Sequence, residues 1–177
     1  MKEVRGLLVT GAALLLYLPA ALAQPPAPKP GPEHDFLKKM VGTWDATVKF
    51  SGGESKATAT YKMDLGGLWL VTDFLGEFGG QRFQGKGLDG YDPIKKKYVS
   101  VWVDSKAASP MVSEGTLDKQ GKVLTMIGEG PGMDGPKTKY KSVLENKDDN
   151  TMVMTMSTAG KDDKGQVMMT ITYKRKK

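Results

Sequence analysis

From residue 44 to the C-terminus, apolar and polar residues alternate with period two, and clusters of glycine, proline, asparagine and aspartate interrupt the alternation at short intervals. That is the pattern of half-buried β-strands joined by tight turns. Strands are predicted at 44–51, 55–65, 68–78, 81–91, 98–104, 111–117, 123–129, 137–145, 151–158 and 166–174. The segment 55–65 is the clearest: Ala57, Ala59, Tyr61 and Met63 lie on one face, and Lys56, Thr58, Thr60 and Lys62 on the other. By contrast, 68–78 is apolar on both faces, with Asp73 the exception. Gly85, Gly87 and Gly90 suggest a strand that bends. A glycine- and proline-rich loop is expected at 130–136. Consecutive strands with hairpin-length connections favour one antiparallel up-and-down barrel of about ten strands, an all-β fold whose closure removes exposed edges.

The stretch before the barrel follows other rules. Phe36, Leu37 and Met40 sit at helical spacings, so 33–40 is expected to form one or two turns of helix, with Gly42 ending it. Pro25, Pro26, Pro28, Pro30 and Pro32 make 24–32 an extended or disordered spacer. Ahead of it, Lys2 and Arg5 precede the apolar run 7–18, and Ala21-Leu22-Ala23 offers small residues at a cleavage site. This is the layout of a signal peptide, 1–23, which leaves 33–177 as the barrel domain. The run is short for a membrane span, so the mature protein is expected to be exported, periplasmic or extracellular, and soluble after cleavage near Ala23.

Composition narrows the chemistry. The chain carries 26 Lys and Arg against 20 Asp and Glu, a formal charge of +6, but the two signs are interspersed and the lysine runs fall in a turn and at the end of the chain. Export and this scatter argue against a nucleic-acid partner. The absence of cysteine removes disulfides, thiolate metal sites and cysteine nucleophiles, so the core must hold the domain alone.

Gly42-Thr43-Trp44, following a short helix and opening the first strand, resembles the Gly-x-Trp signature of lipocalin-like (calycin) barrels. The resemblance implies that the helix closes one end of the barrel. It also implies that Trp44 packs there beneath an arginine or lysine from near the last strand, and Arg175 stands at the matching place for a cation–π stack. Val41-Gly42-Thr43-Trp44, Asp64-Leu65-Gly66-Gly67, Gly90-Tyr91-Asp92 and Val101-Trp102-Val103-Asp104 occur in the order seen in a bacterial exported family known as domain of unknown function 1579, which the chain resembles over most of its mature length. That family brings no established activity and no catalytic residues.

No catalytic group stands out. His34 is the only histidine, so any Ser–His–Asp arrangement would have to use it; it precedes the barrel beside the proline-rich spacer and is expected on the surface. No strand offers an axial histidine for haem, and no cofactor is implied. Gly128-Glu129-Gly130-Pro131-Gly132 lacks the following helix that a phosphate loop needs. Asp148-Asp149 and Asp162-Asp163 lack the ligand spacing of a calcium loop and fit acidic turns.

What remains is a lined interior. Tyr98, Trp102 and Asp104 share a strand face with Ser100, while Val99, Val101 and Val103 lie opposite. Met152, Met154 and Met156 share another face; their thioethers suit Cu(I), but the abundance of methionine elsewhere favours a core or cavity wall, with no metal expected. Asp73 lies among Trp69, Val71 and Leu75. It is a candidate polar anchor in a pocket, unless it pairs across the sheet with Arg82 or a lysine. Two functions follow from such a barrel: a binding module for a small apolar or amphipathic molecule, or a structural or interaction protein of the envelope with a filled interior. Cavity volume distinguishes them.

Overall fold

The structure, a computed structural model, describes residues 27–132, 135–160 and 165–177. The expected signal peptide 1–23, the start of the expected spacer and Asp162-Asp163 lie outside these residues. Among the described residues ten strands close a barrel in which each strand pairs antiparallel with its neighbours in sequence, and β1 pairs β10 to shut the ring. The strands are β1 (Gly42–Phe50), β2 (Gly53–Asp64), β3 (Trp69–Phe78), β4 (Gln81–Asp92), β5 (Lys97–Asp104), β6 (Met111–Leu117), β7 (Val123–Gly132), β8 (Gly135–Asp148), β9 (Thr151–Thr158) and β10 (Val167–Arg175). The turns that punctuate the sequence are the turns of the fold. The one larger difference is at the expected 130–136 loop, where β7 runs on to Gly132 and β8 starts at Gly135.

Alternation assigns the faces. On β1, Trp44, Ala46 and Val48 point inward and are buried, and register carries that inward parity around the barrel. Ala46 pairs with Tyr173 and Ala59 with Trp44, so small side chains leave room for large ones across the strand pair. Two consecutive methionines, Met168 and Met169, both reach the interior because the β10 register shifts between Val167 and Met169.

The helix α1 (His34–Met40) closes one end of the barrel, burying His34, Phe36, Leu37 and Met40 against it. His34 is therefore not a surface residue as expected: it is 6% exposed, with its ring edge-on to Tyr91 at 6.5 Å and its Nδ1 accepting from the Gly31 backbone N–H at 3.1 Å. The chain entering α1 packs on the barrel end and takes the imidazole with it; Tyr98 Oη–H donates to the Glu33 carbonyl at 2.7 Å.

The C-terminal end of α1 would leave carbonyls unpartnered. The barrel supplies their donors. Trp44 Nε1–H donates to the Met40 carbonyl at 2.8 Å, and Arg175 donates through Nη2 to Lys39 O at 2.7 Å and through Nη1 to Val41 O at 2.5 Å. A third bond runs from Arg175 Nε to Asp149 O at 2.8 Å. The guanidinium carbon lies 4.1 Å from the Trp44 ring centroid, so a cation rests on the indole face as well as at the negative end of the helix. Gly42 makes room for this arrangement. Its φ is +129°, and a Cβ there would lie 2.6 Å from Arg175 Nη1.

Candidate functional site

Above this plug the barrel is hollow. A cavity of about 540 Å³ extends from the floor at Tyr61, Asp89 and Tyr173 to the loops at the opposite end, where Lys106, Pro131 and Met168 line it. Most of its wall is apolar. Phe78, Phe83 and Phe74 form an edge-to-face series on β3 and β4, with ring centroids 5.0 and 5.9 Å apart, and Met126, Met154 and Met156 line the other side. Rigid aromatic rings and pliable thioethers together make a wall that accommodates apolar shapes.

Trp102 occupies the middle of the wall. Its register partner on β4 is Gly87, and its indole reaches over Gly85, where any Cβ would overlap the ring. Phe74 meets the same indole edge-on at 6.1 Å. The indole N–H donates to Asp104 Oδ2 at 3.0 Å, while Asp104 Oδ1 accepts the Lys106 backbone N–H at 2.8 Å. Both carboxylate oxygens are thus engaged at the mouth. The Lys106 ammonium is turned to the Gln81 side-chain carbonyl at the start of β4.

The floor is polar. Asp89, inward on β4, faces the Thr72 and Ser100 hydroxyls on the flanking strands, whose hydrogen bonding pulls its carboxyl down. Burial outweighs those bonds and raises its carboxyl to about 6. Tyr61 and Tyr173 stand beside it, edge to face, with ring centroids 6.3 Å apart. Burial, then the neighbouring Tyr173 and Asp89, push the Tyr61 phenol well above its usual value. Burial pushes Tyr173 up to about 12. Both phenols stay neutral donors at ordinary pH.

The residues singled out in the sequence divide between three places. Trp102, Asp104, Met154 and Met156 line the cavity. Tyr98 and Met152 point inward too but sit at the closed end: Tyr98 packs edge-on against Phe36 at 6.1 Å, and Met152 is buried in the plug layer near Trp44. They form the core beneath the cavity instead of its wall. Asp73 is not in the interior. It points outward on β3, exposed, and pairs with Lys86 across the β3–β4 ladder, the cross-sheet lysine pairing that was the alternative for it. Asp89, the carboxylate that does enter, was not singled out. Its signal was parity: Asp89 is in phase with Phe83 and Tyr91 along β4, but the intervening Gly85 and Gly87 hide the alternation. Among the described residues, no group of three or more His, Asp or Glu side chains converges as a metal site.

The family described as a protein of unknown function (DUF1579) matches residues 29–175. The chain belongs to this family. No curated protein matches it. Among solved structures, Rv2717c from M. tuberculosis superposes with a TM-score of 0.58 at 11% identity, over 83% of this chain and 99% of its own. An S-type phycobiliprotein lyase, CPES from Guillardia theta, superposes with a TM-score of 0.53 at 10% identity, over 81% of this chain and 92% of its own. At such identities these likenesses establish the barrel fold and nothing about activity. No helix among the described residues is long and apolar enough to cross a membrane.

Proposed function

We propose that this DUF1579 barrel is an exported binding protein that takes a small apolar or amphipathic molecule into its interior. The observation that carries the reading is the cavity of about 540 Å³, walled by phenylalanine, tryptophan and methionine and floored by a few polar groups. Volumes of roughly 300–1,000 Å³ with an apolar lining and few convergent polar groups are typical of small-molecule sites. A barrel kept only as a structural element would gain from filling such a space, because packed interiors carry few voids larger than a water molecule. The arrangement of basic residues, apolar run and Ala21-Leu22-Ala23 supports export of the mature chain.

Native mass spectrometry of the protein purified without denaturation tests this reading. A co-purifying small molecule, or saturable one-to-one uptake of the neutral apolar dye N-phenyl-1-naphthylamine, is the expected result. A folded barrel that carries nothing and takes up no dye would overturn it.

A further inference from the structure

The cavity has a direction. Its mouth holds a carboxylate whose two oxygens are both engaged by N–H donors, and its floor holds one faced by the Thr72 and Ser100 hydroxyls. We propose that the ligand enters tail outward and head inward, with a protonated amine at its inner end received by Asp89, Thr72 and Ser100. This deepens the binding reading above and rests on it.

Asp89 has inward-facing neighbours on its own strand, on both flanking strands and across the barrel. Along its own strand the inward neighbours are Gly87 and Tyr91. From β3 come Leu70 and Thr72, and from β5 come Tyr98 and Ser100. Tyr61 on β2 and Tyr173 on β10 close the far side. In α1, behind Tyr91, His34 already accepts a backbone N–H at Nδ1. None of the inward-facing groups is cationic. Among the described residues lining the cavity, Lys106 is the one basic side chain, and it lies at the other end, bonded to Gln81.

A carboxylate withdrawn from water without a cation is costly, and a protein that carries one away from any partner leaves a site for a positive group. A carboxylate offers about four lone-pair positions, and two hydroxyl donors leave room for more. The donor that gains most there is a charged one, since charge-assisted hydrogen bonds are roughly twice as strong as neutral ones. An anionic head meets the opposite field, with no arginine or lysine at the floor to receive it. Because the carboxyl titrates near 6, the site is charged at pH 7.5 and largely neutralised at pH 5. The phenylalanine and methionine wall above the floor then takes an apolar tail.

The test displaces bound N-phenyl-1-naphthylamine with n-decylamine, n-decanol and decanoate, which share one alkyl tail and differ in the head. At pH 7.5 decylamine should compete at least tenfold better than decanoate, with decanol between. Asp89→Asn should abolish the order, while Asp104→Asn at the mouth should leave it intact. Should Asp89→Asn fail to fold, the wild type decides by pH: decylamine affinity should fall about tenfold relative to decanol between pH 7.5 and pH 5, as Asp89 takes up its proton. Equal competition by all three heads, a preference removed by Asp104→Asn instead, or a decylamine-to-decanol ratio flat with pH would overturn the amine assignment and leave cavity binding standing. Failure of the folded wild type to take up the dye or any amphiphile would overturn both.

Discussion

The guanidinium of Arg175 lies on the face of Trp44, 4.1 Å from carbon to centroid, and from there reaches the carbonyls of Lys39 and Val41. One residue from the last strand therefore joins the first strand, the helix end and the 149 turn. The floor of the cavity rests on this joint.

Trp44 is 1% exposed, and its replacement by alanine should cost about 3–5 kcal/mol of unfolding free energy. Arg175→Ala should cost about 2–3 kcal/mol, because three backbone carbonyls lose a charged donor. Arg175→Lys should recover little, since an ammonium cannot serve the carbonyls that the planar fork reaches. Urea midpoints of the three variants check these values.

Gly42→Ala should act through the same residue. The new methyl would displace the Arg175 guanidinium and strain a backbone held at φ +129°. The account expects the two losses to be less than additive in the Gly42→Ala/Arg175→Ala double variant, which a double-mutant cycle measures. Full additivity would mean that Gly42 and Arg175 act separately.

At Gly85 an alanine would push the Trp102 indole off β4 and away from Asp104. The expected outcome is a loss of about 1–3 kcal/mol with a shift in tryptophan emission, read by fluorescence-monitored unfolding.

The Asp89 carboxyl is raised by burial to about 6, so the folded state holds a proton that the unfolded chain, with an ordinary carboxyl, releases at lower pH. Its contribution is favourable at acid pH and is lost as pH rises through about 6. Glu54, Glu114 and Asp118 act oppositely. Lysine hydrogen bonds hold Glu54 and Glu114 below their ordinary values, and backbone hydrogen bonds hold Asp118 below its own, so their stabilisation is present above those values and lost on acidification. The difference between wild type and Asp89→Asn isolates the single group. The variant should gain about 2–3 kcal/mol relative to wild type between pH 4 and pH 7, measured by thermal or urea unfolding across that range.

Export makes a separate prediction. The mature protein should begin at Gln24, which N-terminal sequencing or intact mass of the secreted form determines. Retention of residues 1–23 in the exported protein would contradict it.

Period-two patterning carried most of the fold. It placed all ten strands, grouped Tyr98, Ser100, Trp102 and Asp104 on one face and aligned the three methionines of β9. It could not give height along the barrel axis, because a strand that spans the whole barrel contributes to the plug, the cavity and the mouth in turn. Tyr98 and Asp104 share a face yet lie at opposite ends. Nor could it tell inward from outward on β3, where Leu75, half exposed, is as apolar as the buried Phe74. That ambiguity left Asp73 open between a pocket anchor and a cross-sheet ion pair, and left Asp89 unnoticed. His34 was misplaced for a related reason: its burial depends on where the entering chain lies against the barrel end, which a local pattern does not encode.

The most direct measurement of the central claim compares dye uptake by the wild type and by a barrel whose cavity has been filled. Ser142 points inward on β8 between Met126 and Met156, and Ser142→Trp would place an indole in the open space. Saturable one-to-one binding of N-phenyl-1-naphthylamine is expected of the wild type. At least tenfold weaker binding is expected of the variant, with the melting temperature held. Equal affinity in the two folded proteins, or no binding by the wild type, would contradict it.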